Sequence, residues 1–140
     1  MNETATSQNS AVRFTHAVPC LSYANAHASI QWLVDAFGAE ARHIYDGPDN
    51  TVAHAEVWFG DCCVMMGSLK ENEMPPNKAG ESAVYIVVAS AAEVDQLHER
   101  AVQHGARIVI SLRDTDYGSH DFGALDPEGN FWGFGTYVPV

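Results

Sequence analysis

Basic residues are scarce in this sequence. Only 7 Lys and Arg stand against 18 Asp and Glu, which gives a formal net charge of −11 at neutral pH. Nucleic acid is therefore not an expected partner, because its phosphates would be repelled. A cationic ligand would be attracted, although an acidic surface also serves simply to keep a protein in solution.

Cysteines and long apolar runs are also few. The chain contains 3 Cys, and Cys62 and Cys63 are adjacent in a predicted strand, so their side chains point to opposite faces. This arrangement indicates free thiols in a reducing compartment. No apolar stretch is long enough to cross a bilayer, and residues 1–10 resemble neither a secretory signal nor a transit peptide. We therefore expect a cytoplasmic protein with no membrane partner and a disordered tail at residues 1–12.

The most informative stretch is a predicted β-hairpin at residues 52–66. Side chains alternate along residues 52–59, which is the period of a strand, and Gly60-Asp61 suits a tight two-residue turn. Directly paired residues share a face of the sheet. One face then combines an acid, an imidazole, an indole and a thioether, the composition of a small-molecule pocket, or else simply points to solvent. Its members are His54, Glu56, Trp58, Cys63 and Met65.

The chain on either side of a polar, Pro-containing linker has the same order of elements. Gly38 and Gly105 each follow a predicted helix, and Gly60 and Gly129 each lie in a predicted hairpin turn, at nearly equal offsets, as an internal duplication would produce. Pro19 predicts an edge position or a bulge for the first strand. The first half is predicted as strand 14–23, helix 26–37, strand 41–45 and the hairpin; the second as strand 83–89, helix 91–104, strand 107–112 and hairpin 120–137.

These elements predict an α+β fold built from two βαβββ modules in tandem. The domain would span residues 13–139. Module 1 would cover about 13–69, the linker about 70–80 and module 2 about 81–139. A chain of 140 residues suffices for one such domain.

Several short segments have a specific likeness to known proteins. They are residues 18–21, 30–38, 54–66, 117–119 and 126–136, which include His54-Ala-Glu56, Phe59-Gly-Asp61 and Asp126-Pro-Glu-Gly-Asn-Phe-Trp-Gly-Phe-Gly-Thr136. In these segments the chain resembles the vicinal oxygen chelate superfamily, and most closely its small bleomycin-resistance-like or PhnB-like branch. The resemblance implies a curved mixed sheet around a cavity. It carries little information about activity, because one scaffold hosts many chemistries.

The resemblance also implies where a metal would be bound. Metal-dependent members place four ligands in the cavity, and the corresponding positions here are Val18, Met65 (or Met66), Ala83 and Gly133. None of these offers an oxygen or imidazole ligand to Zn²⁺, Ni²⁺ or Fe²⁺, so we expect no metal in the usual place. The alternative is a displaced site built from His16, His54 and Glu56, which would make the protein a metal-dependent lyase or dioxygenase.

The resulting expectation is a protein that binds a small molecule without a metal or other cofactor. Bleomycin resistance proteins are acidic dimers that sequester a cationic drug, so the resemblance implies a homodimer and a cationic or aromatic ligand, with antibiotic resistance as one role. A scaffold domain that has lost its ligand is a third reading. No catalytic residue is assigned. The expected ligand-binding residues are Trp58, His54, Glu56, Met65, Tyr85, Phe131 and His120.

Overall fold

Eight strands and two α-helices occupy the part of the chain that the computed structural model describes, residues 12–70 and 79–139. Their order is that of the two predicted modules. Module 1 contains β1 (Cys20–Tyr23), α1 (Ala26–Phe37), β2 (Glu40–Asp46), β3 (Val52–Phe59) and β4 (Cys62–Ser68). Module 2 contains β5 (Ala83–Val87), α2 (Ala91–Gln103), β6 (Arg107–Asp114), β7 (His120–Leu125) and β8 (Phe131–Gly135).

Each module forms its own four-stranded mixed sheet. The strand orders are β1-β4-β3-β2 and β5-β8-β7-β6, which are equivalent. In both sheets the first strand pairs in parallel with the last strand of its module, and the other pairs are antiparallel. The predicted α+β fold of two tandem βαβββ modules is confirmed, with the strands divided between two sheets.

The β3–β4 hairpin has the predicted register. Phe59 pairs with Cys62, Trp58 with Cys63 and Glu56 with Met65. Most of the core face is buried, because Ala55, Val57, Val64 and Met66 are at most 2% exposed. Cys62, which the alternation also assigns to this face, lies next to the turn and is exposed. The opposite face of the hairpin is only half-buried, as expected for the wall of an open cavity.

The first predicted strand is too long. Pairing begins at Cys20, opposite Met65, whereas residues 12–19 lie outside the sheet with their side chains exposed. Pro19 has no N–H to donate to a ladder, and its carbonyl accepts the N–H of Met65 at 2.9 Å. The predicted edge position of this strand is correct. The predicted tail at 1–12 and the predicted linker at 70–80 lie almost entirely outside the described residues.

Both helices begin and end where their capping residues predict. The Asn25 side chain accepts the N–H of Ala28, and the Ser90 hydroxyl accepts the N–H of Glu93, each at 3.3 Å. Gly38 follows α1 in the left-handed conformation with φ 73°, which a glycine adopts without steric cost. Each helix buries one face against the sheets and exposes the other.

Aromatic residues from both modules meet in one core. Phe37 of α1 packs edge-to-face on Phe134 with ring centroids 4.7 Å apart, and Phe59 lies 5.3 Å from Trp132. Trp132 and Phe134 are fully buried on the helix side of β8. The aromatic side chains thus join module 1 to module 2 across the space between their sheets.

Polar contacts reinforce this junction at both ends of α1. The Glu128 carboxylate, in the β7–β8 turn of module 2, accepts the N–H groups of Ala24 and Asn25 at 2.7 Å each. A carboxylate is favourable at the start of a helix because the helix dipole is positive there. At the other end of α1, Arg100 of α2 donates from Nε to the carbonyl of Asp35 at 2.9 Å. These hydrogen bonds link the two modules at both ends of α1.

Candidate functional site

A cavity of about 690 Å³ lies between the open face of the first sheet and strand β5. This volume lies within the range of small-molecule sites. Glu56, Trp58 and Met65 of the β3–β4 hairpin form one wall, Val18 another, and Tyr85 of β5 the facing side. The cavity therefore brings together four of the predicted ligand-binding residues, Glu56, Trp58, Met65 and Tyr85.

The acidic and aromatic groups of this cavity contact each other. Glu56 and Trp58 are two residues apart on one strand, so they point to the same face. The indole Nε1 of Trp58 donates to Oε1 of Glu56 at 3.0 Å. The contact orients the indole plane and leaves the second carboxylate oxygen of Glu56 for other partners.

A cation of the protein itself covers the indole. Arg42 lies opposite Glu56 across the β2–β3 pair, with its guanidinium carbon 4.7 Å from the centroid of the Trp58 ring. This is a cation–π contact. Arg42 also donates to Glu40 at 2.7 Å. One face of Trp58 is thus already occupied, and a ligand would meet the other face or displace Arg42.

Cys63 shares this face but is not an activated nucleophile. Burial, and after it the charge of Glu56, raises the pKa of the Cys63 thiol. The thiol form therefore prevails at neutral pH, whereas nucleophilic cysteines need a lowered pKa. The arrangement suits binding of a ligand better than covalent chemistry on it.

Three predicted site residues lie away from this cavity. His54 lines a separate hollow of about 150 Å³, with its ring stacked near that of Tyr45 at 6.4 Å. The Phe131 ring covers Gly123 and Gly133 on the open face of the second sheet. His120 lies among charged groups at the helix side, with one ring nitrogen 2.6 Å from Asp95 and the other 2.8 Å from Asp114.

The residues of the cavity do not fit a metal site. Val18, Met65, Ala83 and Gly133 present no charged or imidazole ligand, and Ala83 and Gly133 do not line the cavity that contains Val18 and Met65. Within residues 12–70 and 79–139, no three His, Cys, Asp or Glu side chains are grouped to bind a metal ion. His16 and Glu56 line the cavity that contains Trp58, whereas His54 lines the separate hollow.

The family model for the Glyoxalase/Bleomycin resistance protein/Dioxygenase superfamily matches residues 13–134. The chain belongs to this superfamily. An uncharacterised protein of Mycobacterium bovis is 29% identical over 125 residues, covering 86% of this chain and 82% of the relative. No described helix is long and apolar enough to span a membrane.

Two solved structures have the same fold. TioX from Micromonospora sp. ML1 superimposes with a TM-score of 0.71 at 26% identity, over 89% of this chain and all of that one. TnmS3, described as an antibiotic binding protein from Streptomyces, superimposes with a TM-score of 0.67 at 14% identity, over 88% and 96% of the two chains. At 14% identity the second likeness shows the fold alone.

Sequence reasoning missed Arg42. A β-bulge follows it, because His43 has φ 52° and the pairing register shifts between Arg42 and Tyr45. Despite the bulge, Arg42 pairs with Glu56 as a simple hairpin count from Asp46 and Val52 gives. The sequence pattern did not show that the guanidinium packs over the Trp58 ring. Tyr117 and Tyr137, which line another hollow on the second sheet, were also missed; Tyr117 lies between β6 and β7, and Tyr137 lies just after β8.

Proposed function

We propose that this protein binds and sequesters a planar aromatic small molecule, without chemical change, in the cavity that contains Trp58 and Glu56. The observation that carries the proposal is the Trp58 indole, oriented by Glu56 and half-buried in a cavity of about 690 Å³. An indole supplies a large rigid surface for stacking at little entropic cost. Membership of the superfamily and the antibiotic-binding description of TnmS3 support a binding role.

Charge at the cavity favours a neutral or cationic ligand. Among the described residues, the lining contains the carboxylates of Glu56 and Asp61 and no Lys or Arg. Arg42 balances part of this charge from behind the indole. The thioether of Met65 and the ring of Tyr85 add apolar surface that would cover the far side of a planar ligand.

Titration with two acridines would test the proposal. Proflavine is a planar cation, and acridine is its neutral relative at neutral pH; binding of both is read from their fluorescence. Trp58→Ala should weaken both by up to about tenfold, because an aromatic pair contributes roughly 0.5–1.5 kcal/mol. Glu56→Gln should weaken proflavine selectively, because it removes the charge and keeps the shape.

Tyr45→Ala is the matched control. Tyr45 is exposed on the same sheet but outside the cavity lining, so this variant should bind both dyes as the wild type does. Equal dye binding by wild type and Trp58→Ala would refute the assignment of the cavity. Equal loss for both dyes in Glu56→Gln would show that the carboxylate acts by orienting the indole through its hydrogen bond rather than by attracting the cation.

A further inference from the structure

A further hollow of about 480 Å³, called the tyrosine hollow below, lies on the second sheet and is lined mainly by tyrosines. Its lining consists of Tyr85, Tyr117, Tyr137, Pro139 and Asp121. The rings of Tyr117 and Tyr137 are 5.6 Å apart and perpendicular, so they form a corner. The hydroxyl of Tyr85 donates to the carbonyl of Tyr137 at 2.9 Å and ties the third ring to this corner.

A carboxylate lies at the base of the tyrosine hollow. Asp121 is 7% exposed, and its Oδ1 accepts from Nε of Arg113 at 2.8 Å. Among the described residues, Oδ2 of Asp121 accepts no hydrogen bond. The Arg113 side chain is 48% exposed, so water screens part of its charge and it neutralises Asp121 incompletely.

A buried hydroxyl without a partner adjoins the same base. Ser119 is 2% exposed, and no hydrogen bond to its Oγ exists among the described residues. The position that a Cβ of Gly135 would take lies 3.0 Å from this Oγ and 2.7 Å from the hydroxyl of Tyr85. Gly135 thus leaves room beside both hydroxyl groups and beside Asp121.

We infer that the tyrosine hollow binds the alkylammonium group of a small molecule. Several aromatic faces attract a cation through their negative π-surfaces, and quaternary ammonium groups are bound in this way. Asp121 supplies the opposite charge. The equivalent place above Trp58 is taken by Arg42, 4.7 Å from the ring centroid, whereas the described residues that line the tyrosine hollow include no Lys or Arg.

The tyrosine hollow and the cavity that contains Trp58 share Tyr85. This inference rests on the proposed function in one respect: the ammonium would be the end of a ligand whose planar part lies against Trp58. The net charge of −11 adds a long-range attraction for such a cation. Recognition of the ammonium itself depends only on the tyrosines and Asp121, so a probe without a planar part can test it separately.

Choline and its neutral isostere dimethylbutanol are the probes, titrated into the full chain and followed by NMR. Choline should bind more tightly than the alcohol by about tenfold, the factor that corresponds to a cation–π contribution near 1.4 kcal/mol. Tyr117→Leu and Tyr137→Leu should abolish this preference, whereas Tyr117→Phe should retain it. Both tyrosines are exposed, so these variants should fold.

Asp121→Asn should also reduce choline binding, with circular dichroism confirming its fold. Equal affinity for choline and the alcohol, no choline binding by the wild type, or full binding by Tyr117→Leu would each overturn the inference. Tyr45→Ala, at an exposed tyrosine that lines neither the tyrosine hollow nor the cavity at Trp58, is the control and should bind choline normally. A failure of the proposed function would instead appear as acridine binding that does not depend on Trp58, with the choline results unchanged.

Discussion

The phenolic hydroxyl of Tyr23, at the end of β1 in module 1, donates a hydrogen bond of 2.7 Å to Oδ2 of Asp126 in module 2. Asp126 is only 5% exposed, and its oxygens also accept from Nε1 of Trp132 at 3.0 Å and from the N–H groups of Glu128 and Asn130 at 3.0 Å each. Burial, and after it the charge of Asp126, raises the pKa of Tyr23 well above its usual value. Burying a carboxylate without hydrogen bonds would cost folding free energy. Here donors from both modules satisfy the carboxylate of Asp126.

Removal of this hydroxyl should destabilise the fold. Tyr23→Phe should lower the free energy of unfolding by about 1–3 kcal/mol, because a buried charged acceptor loses a donor. Urea denaturation measures the change. Tyr45→Phe, at an exposed tyrosine, is the control and should change stability by less than about 0.5 kcal/mol. A Tyr23→Phe variant as stable as its control would show that the inter-module bond contributes nothing.

Trp132 should contribute most to the shared core. It is fully buried, packs against Phe37 and Phe59, and donates to Asp126. Trp132→Ala should cost about 3–5 kcal/mol, as large aromatic deletions do. Thermal and urea unfolding check this value. Melting within a degree or two of the wild type would contradict the assignment of this side chain to the core.

His120 should make stability depend on pH. Hydrogen bonds to Asp95, and then to Asp114, raise the pKa of His120. A raised folded-state pKa stabilises the protein below the unfolded pKa of about 6.5, and this contribution is lost as the pH rises through the folded-state value. The melting difference between wild type and His120→Gln should therefore be largest near pH 5.5–6 and shrink in alkaline buffer.

The exposed residue His16 is the control for this pH series. His16→Gln should melt close to the wild type, because the His16 side chain is exposed. A difference between wild type and His120→Gln that grows with pH would have the wrong sign and would exclude the protonated bridge between Asp95 and Asp114.

The chain should form an isologous homodimer. Phe14 is 95% exposed, Val12 66% and Val138 56%, and the edge strands of both sheets are open to pairing. Light scattering should give the mass of a dimer at micromolar concentrations, and Phe14→Ser should shift the equilibrium toward monomer. Monomer from micromolar to millimolar concentration would refute the dimer.

Stability should not depend on a divalent metal. The cavity positions that correspond to the family's ligands are occupied by residues such as Val18 and Met65. A metal bound only to the folded state would raise the melting temperature by mass action, so a chelator should leave it unchanged. One equivalent of tightly bound Zn²⁺, Ni²⁺ or Fe²⁺ that is lost in His54→Ala would contradict this prediction.

The hairpin illustrates what the local pattern predicted correctly. Alternation along residues 52–59 and the Gly60-Asp61 turn set the Trp58–Cys63 register and separated the core face from the cavity face. Register follows from such local features because a shift of one residue would expose the whole apolar face. The helix bounds and the repeat of the modules could be predicted because they too follow from local features, namely capping residues and the order of the elements.

The fold class, the two modules and the hydrophobic faces of their elements were determined by the sequence itself, because periodicity and capping act over a few residues. Only the tertiary structure decided which polar groups meet. It placed Arg42 over Trp58, put His54 and His120 outside the cavity that contains Trp58, and brought Tyr85, Tyr117 and Tyr137 together around Asp121. These contacts depend on how segments that are far apart in the sequence pack together. The spacing of residues along the chain does not show which of them become neighbours in space.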